Sequence, residues 1–206
     1  MMLVERWSAL WAALQLEMPE DARADRMLAR YAEPHRAYHT VQHLEECLGW
    51  LDEARDAAGD RANVELALWY HDAVYQPRRD DNEQASASLA RLHLGQGGAP
   101  APLVDEVCAL IRWTEHTTEP PPGDPALIVD IDLAVLGAPP PRYAEYERQV
   151  RQEYEWVPLP VFRRQRAALL ESFLARNLIF STPYLHERLE HQARINLSAA
   201  IRKLRT

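Results

Sequence analysis

Two groups of residues in the sequence have the types and spacing to bind a metal. His39 and His43 lie four residues apart at the start of a predicted helix, so their imidazoles face the same side of it. His71 and Asp72 are adjacent at the end of an apolar helix, where neighbouring side chains point about 100° apart. Both residues of this doublet could bind one ion only if the ion lies between the directions of their two side chains. Either group by itself is a weak signal.

A pair of carboxylates forms the third group. Asp130 and Asp132 lie within the apolar segment ALIVDIDLAVLG, between residues 126 and 137. Carboxylates with such neighbours need a cation, a proton or hydrogen-bond donors, because burying the charge alone is costly. A metal ion would meet this need, and the three groups in sequence order are more specific than any one of them.

This ordered set resembles the HD superfamily of metal-dependent phosphohydrolases. The resemblance is closest to a small bacterial branch of predicted phosphohydrolases, through the blocks YHTVQH, WYHDAVY, DNEQASAS and DIDLAVLG. It extends from about Tyr31 to Asn196, which is most of the chain. It implies a helical fold with one divalent metal at its centre.

The resemblance also implies which residues bind the ion. Matched position by position, the metal ligands are His43, His71, Asp72 and Asp132. Asp130 is the competing choice for the last ligand. We prefer Asp132 because related proteins with this DxD pattern match through the second acid, and Asp130 would then brace the ligands.

The ligand set limits the choice of metal. Two imidazoles and two carboxylates suit Mn²⁺, Fe²⁺, Co²⁺, Ni²⁺ or Mg²⁺ better than a closed structural zinc site, although zinc is compatible. Such an ion would orient a phosphate and lower the pKa of a bound water. Cys47, four residues after His43, offers a zinc alternative, but no second thiol or histidine pair has matching spacing.

Catalysis also needs groups that transfer protons. His39 resembles the proton donor found at this place in some HD phosphodiesterases. His116, one turn after Arg112, is a candidate phosphate ligand or second acid, or else it only caps the carboxyl end of a helix. Glu83 could position the attacking water, or it is simply a charge at a helix N-terminus.

Four arginines flank these motifs and could bind phosphate through two parallel hydrogen bonds. They are Arg36, Arg78, Arg79 and Arg112. The resemblance implies hydrolysis of a phosphomonoester or phosphodiester in a small phosphorylated metabolite, for example a nucleotide. A metal-containing binding or regulatory module without turnover is one alternative. A di-iron oxygenase, with His116 and either Glu83 or Asp130 at a second ion, is another.

The elements that must position these residues are helical. Apolar residues recur three and four apart and only seven glycines occur in 206 residues, which predicts one all-α domain of about nine helices. The resemblance implies that this single domain is of the HD type. The motif core spans about 31–137, and helices of 143–204 pack on it. A helix from Arg61 is apolar around most of its circumference and belongs at the centre. Segment 126–137 could be a buried strand, but the helical context favours a short buried helix.

The amino-acid composition limits the kinds of binding partner and the cellular compartment to be expected. Asp and Glu outnumber Lys and Arg by 31 to 23, for a net charge of −8, which disfavours polymeric nucleic acid. The two cysteines form no CxxC pair, which suggests a reducing compartment, and no run approaches the roughly 20 apolar residues of a membrane span. We expect a cytoplasmic protein without membrane contact, in which amphipathic first and last helices could form a homodimer face.

Overall fold

The computed structural model describes residues 2–206 as an all-α fold with no strand in that range. The all-α prediction is confirmed, with ten α-helices where about nine were expected. They are α1 (Leu3–Ala13), α2 (Ala24–Arg30), α3 (Val41–Glu53), α4 (Arg61–Tyr70), α5 (Asn82–Gln96), α6 (Ala101–Trp113), α7 (Asp124–Asp132), α8 (Pro140–Glu153), α9 (Leu159–Leu174) and α10 (Pro183–Leu204). Short 3-10 helices cover Glu20–Ala22, Arg55–Ala57 and Leu133–Gly137.

Helix α4 is the centre of the molecule, as its apolar sequence predicts. Every residue from 63 to 70 is buried, and α3, α6 and α7 pack around the helix. The Asp60 side chain accepts a hydrogen bond from the backbone N–H of Asn63 and so caps the first turn. The helix ends at Tyr70, which leaves His71 and Asp72 in the turn that follows.

Segment 126–137 is helical rather than extended. It forms the end of α7 and then a 3-10 turn over Leu133–Gly137, which packs against α10. The approach of α10 is so close that a Cβ on Gly137 would lie 2.6 Å from the Cβ of Leu189. The packing therefore requires glycine here and fixes the position of Asp132 at the end of α7.

The remaining helices enclose this centre. Helices α5 and α6 pack on each other, α6 also contacts α4, and α9 packs against α10. None of the helices described within residues 2–206 combines the length and apolar character needed to cross a bilayer.

Candidate metal centre

Two imidazoles and two carboxylates converge where α3, α4 and α7 meet. His43 lies in the first turn of α3, His71 and Asp72 follow α4, and Asp132 ends α7. The Nε2 atoms of His43 and His71 are 3.1 Å apart. Asp72 Oδ2 lies 3.4 Å and 3.0 Å from these two nitrogens, and Asp132 Oδ1 lies 3.1 Å and 3.5 Å from them. The four residues assigned by resemblance thus lie together in one buried cluster.

The donor set fits a divalent ion. Bonds of about 2.1 Å to a shared ion would separate neighbouring donor atoms by about 3.0–3.4 Å, close to the 3.0–3.5 Å found between each Nε2 and the two carboxylates. The Nδ1 of His71 lies 2.8 Å from the Leu68 carbonyl oxygen, which can only accept. Nδ1 must therefore carry the proton, so that Nε2 of the neutral ring presents a lone pair to the cluster.

Electrostatics in the cluster also favour a cation. Burial lowers the pKa of His71, but Asp72 and Asp132 outweigh burial and raise that pKa well above its ordinary value. The pKa of His43 shifts in the same direction against burial. Burial raises the pKa of both carboxyls, yet His71 beside Asp72, and His116 beside Asp132, bring them well below their ordinary values. The carboxylates therefore favour positive charge between the imidazoles, whether from a proton or from a metal ion.

Metal binding should therefore release protons. The raised pKa values of His43 and His71 favour imidazole protonation in the metal-free chain, and an imidazole must lose its Nε2 proton before that nitrogen can bind an ion. Because the two Nε2 atoms lie 3.1 Å apart, only one proton fits between them, so we expect release of about one proton and a fall in metal affinity of about tenfold per pH unit on acidification. Calorimetric titration in two buffers of different ionisation enthalpy measures the number, and a value near zero would contradict this electrostatic account.

Cys47 is a second candidate for the fourth donor. Single donor atoms of His43, Cys47, His71 and Asp132 all lie within 4.8 Å of one another. However, the sulfur lies 3.7 Å from both Nδ1 and Nε2 of His43, which places it beside the ring rather than along the Nε2 lone pair. Asp72 approaches both Nε2 atoms more closely, so the geometry favours Asp72 as ligand.

A cobalt-substituted protein separates these two candidates. We expect Cys47→Ser to keep Co²⁺ affinity within about twofold, whereas Asp72→Asn should weaken it at least about tenfold. The wild-type spectrum should contain no thiolate-to-cobalt charge-transfer band. Such a band, lost in Cys47→Ser, would make Cys47 the fourth ligand in place of Asp72.

Asp130, which we expected to brace the metal ligands, lies elsewhere. Its carboxylate accepts hydrogen bonds from the backbone N–H groups of Ser181 and Thr182, at 3.0 Å and 2.6 Å, and from the Thr182 hydroxyl. Successive positions of α7 point in different directions, so Asp132 reaches the cluster while Asp130 fixes the start of α10. Because Asp130 lies away from the cluster, Glu83 is the remaining carboxylate that could bind a second iron together with His116 in the di-iron alternative.

His116 lies against the cluster as a partner of Asp132. Its Nε2 is 2.8 Å from Asp132 Oδ2, so one carboxylate oxygen meets His116 and the other meets the imidazoles of the cluster. The backbone of His116 is left-handed, with φ of 55°, which a residue with a side chain adopts at a cost. The His116 side chain thus points at Asp132 rather than only capping α6.

A carboxylate that the sequence analysis missed holds His39. Glu153 Oε2 lies 2.7 Å from His39 Nδ1 and accepts a hydrogen bond from the Tyr75 hydroxyl. Glu153 Oε1 accepts hydrogen bonds from the backbone N–H groups of Ala37, Tyr38 and His39, at 2.8–3.0 Å. The Glu153 side chain is fully buried. One residue of α8 therefore fixes both the loop before α3 and the ring of His39.

The surroundings of Glu153 favour its ionised form. Burial raises the pKa of its carboxyl, but His39 and the backbone N–H groups outweigh burial and lower the pKa to about 2. An ionised carboxylate only accepts hydrogen bonds, so Nδ1 of His39 must donate. This leaves Nε2 as the His39 nitrogen able to exchange a proton with a ligand.

A cleft of about 550 Å³ connects these groups. His39, Glu83, His116 and Asp132 all line it. Glu83 lies in the first turn of α5 and is partly buried. Burial, together with the charges of Asp72 and Asp132, raises the pKa of the Glu83 carboxyl. The three predicted catalytic residues therefore share one cavity, which reaches the candidate metal centre through Asp132.

Arg36 is not free to bind phosphate, contrary to our expectation. Its side chain donates to Glu33 and to the backbone carbonyls of His39, Asp72 and Ala73, which uses Nε and both terminal nitrogens. These bonds connect the loop of His39 to the turn of the His-Asp doublet. Arg36 is thus a structural cross-link between two parts of the centre.

The other three predicted phosphate-binding arginines also lie outside the cleft. Arg78 is exposed with its guanidinium 4.9 Å from the centroid of the Trp156 ring, Arg79 pairs with Asp81, and Arg112 is exposed on α6. Two arginines that the sequence analysis did not select, Arg166 and Arg176, line the cleft instead.

Comparison of the chain with protein-family models, with curated proteins and with solved structures finds no match. Fold and site together establish an all-helical protein with a buried cluster of histidine, cysteine and aspartate that could hold a metal ion.

Proposed function

We propose that this chain is a metal-dependent phosphohydrolase of the HD type, acting on a small phosphorylated metabolite. One observation carries the proposal: the Nε2 atoms of His43 and His71 meet the carboxylates of Asp72 and Asp132 in a buried cluster, and Asp132 also lines the cleft. A closed structural site would use up its donors away from any cavity, whereas this cluster borders a cavity large enough for a metabolite.

His43, His71, Asp72 and Asp132 would hold the ion in this proposal. A divalent ion bound there would stabilise charge on a phosphate oxygen and lower the pKa of a coordinated water. His116, through its contact with Asp132 Oδ2, keeps that carboxylate from turning away from the imidazoles. Arg36 holds the turn of the His-Asp doublet in place through the Asp72 carbonyl.

His39 is the residue we propose as proton donor to the leaving oxygen. Its Nδ1 proton is committed to Glu153, so the proton it delivers is the one on Nε2. Stacking on the Tyr75 ring, with centroids 4.0 Å apart, restricts rotation of the imidazole. Glu83 has a raised pKa on another wall of the same cleft, which suits it to accept a proton from the attacking water.

The proposal is tested by phosphate release. Chelator-treated protein is supplied in turn with Mn²⁺, Fe²⁺, Co²⁺, Ni²⁺, Mg²⁺ or Zn²⁺ and assayed on phenyl phosphate, diphenyl phosphate and nucleoside 5′-phosphates. We expect metal-dependent turnover of at least one ester class, with His39→Gln about 10²–10⁴-fold slower at unchanged metal content. His191→Gln, an exposed histidine of α10, is the matched control.

Two outcomes would count against the proposal. Protein that binds one metal per chain but releases no phosphate from any ester would favour the metal-containing binding or regulatory module. Turnover that is equal in wild type and His39→Gln would remove His39 from the reaction and leave the proton donor to another residue of the cleft.

A further inference from the structure

Arg166 of α9 has fewer hydrogen-bond partners than a buried arginine needs. The residue is only 7% exposed, and its one side-chain hydrogen bond within residues 2–206 goes from a terminal nitrogen to Glu147 Oε1, at 2.6 Å. Its Nε is buried with no partner. Buried polar groups are nearly always hydrogen-bonded, and a guanidinium offers five N–H donors. Arg166 lines the cleft, so a ligand in the cleft could supply the missing acceptors.

Arg176 adds a second cation to the same cavity. Its guanidinium lies 4.7 Å from the centroid of the Phe173 ring and donates a 3.3 Å hydrogen bond to the His116 carbonyl. No carboxylate in the described part of the chain lies within ion-pair distance of it. Burial lowers the pKa of Arg176 by more than the more distant charges of Glu119 and Asp130 raise it. An anionic group in the cleft would compensate the charge of Arg176.

Aromatic rings separate Arg166 from the metal centre. The Arg166 guanidinium lies 5.0 Å from the centroid of the Tyr146 ring, Tyr146 lies 4.6 Å from Tyr38, and Tyr38 lies 4.7 Å from the His43 ring. Two tyrosine rings therefore stand between this cation and the imidazole of the cluster. The phosphate at the cluster and the group at Arg166 must be different parts of one ligand.

We propose that the cleft selects substrates with two anionic groups. The scissile phosphate would lie at the His-Asp cluster, and a second phosphate or carboxylate would accept hydrogen bonds from Arg166, with Arg176 as a further cation of the same cleft. The body of the substrate would pack on the aromatic wall between them, formed by Tyr38, Tyr146, Tyr154, Phe162 and Phe173. This inference rests on the proposed function for the phosphate at the metal, but the second site can be tested without turnover.

Binding of non-hydrolysable ligands provides that test. Metal-loaded protein is titrated with phenylphosphonate, 4-carboxyphenylphosphonate and 1,4-phenylenebisphosphonate. We expect the two doubly anionic ligands to bind about 10- to 100-fold more tightly than phenylphosphonate, as charge-assisted hydrogen bonds to an arginine would give. Tighter binding of 4-carboxyphenylphosphonate would indicate that the second group of the substrate is a carboxylate, and tighter binding of 1,4-phenylenebisphosphonate would indicate a phosphate.

Variants assign this preference to the arginines. In Arg166→Gln and in the less buried Arg176→Gln, the doubly anionic ligands should lose their advantage, so that their binding constants approach that of phenylphosphonate. Arg164→Gln changes an exposed residue of α9 outside the cleft and should keep the wild-type preference. If Arg166→Gln fails to fold, Arg176→Gln decides the question alone. Equal binding of the singly and doubly anionic ligands by wild type would overturn the inference. Tight selective binding without any phosphate release would instead overturn only the proposed function.

Discussion

Asp132→Asn should lower metal affinity at least about 100-fold and phosphoester turnover at least about 1,000-fold. Asparagine keeps the shape of the side chain but removes the charge of Oδ1, which lies 3.1 Å and 3.5 Å from the two Nε2 atoms. One carboxylate would then remain to balance an ion held by His43 and His71. Competition with a chromophoric chelator measures the affinity.

Asp130→Asn is the matched control for this change. Asp130 is a buried aspartate two residues away on the same helix, and its partners are Ser181 and Thr182. We expect the control to lower the free energy of unfolding while metal affinity stays within about twofold of wild type. Loss of affinity in Asp130→Asn but not in Asp132→Asn would mean that the ligands have been assigned to the wrong acid.

Glu153→Ala should have the largest effect on stability. The substitution leaves three backbone N–H groups, of Ala37, Tyr38 and His39, without an acceptor and removes the carboxylate that faces the His39 imidazole. Losing one partner of a buried charged network costs about 3–5 kcal/mol. Urea unfolding of chelator-treated protein measures this cost, and Glu155→Ala, an exposed glutamate two residues later, should change stability by less than about 0.5 kcal/mol.

The effect of Glu153 on stability should depend on pH with a defined sign. Its pKa falls from an ordinary 4.5 to about 2 on folding, so the ionised form stabilises the fold above pH 4.5, and this contribution is lost as pH falls toward 2. Relative to Glu153→Gln, the wild type should be more stable by about 3 kcal/mol at neutral pH, with a shrinking difference below pH 4.5. If the stability difference between wild type and Glu153→Gln stayed constant across this pH range, the charge of Glu153 would not be the source of the stabilisation.

The fold was predictable because local patterns and packing agree. The apolar run from 66 to 70, together with Val64, marked the central helix α4. Segment 126–137 was ambiguous because a short apolar run has no period of its own, and only packing against α10 settles it. Thr40 directly precedes α3, and its hydroxyl makes no capping bond to the helix although threonine often does so at this position.

The candidate site was predictable only where the residues themselves are distinctive. Histidines and an aspartate pair in apolar surroundings indicated the cluster, whereas proximity to motifs wrongly favoured Arg36 as a phosphate ligand. Glu153 and Arg166 were missed because charged residues on helices are usually exposed. A usable signal existed: Glu153 continues the buried stripe of Tyr143, Tyr146 and Val150, and Arg166 lies one turn after buried Phe162. A charge at a core position of an amphipathic helix indicates a partner from elsewhere in the chain.

The most direct test of the metal centre is elemental analysis of purified protein beside a His71→Ala, Asp72→Ala double variant. His191→Ala with Glu187→Ala, an exposed histidine and acid on α10, controls for metal held at the surface. We predict about one divalent transition metal per chain in wild type and control, and almost none in the double variant. Equal metal in the wild type and the double variant would contradict the account.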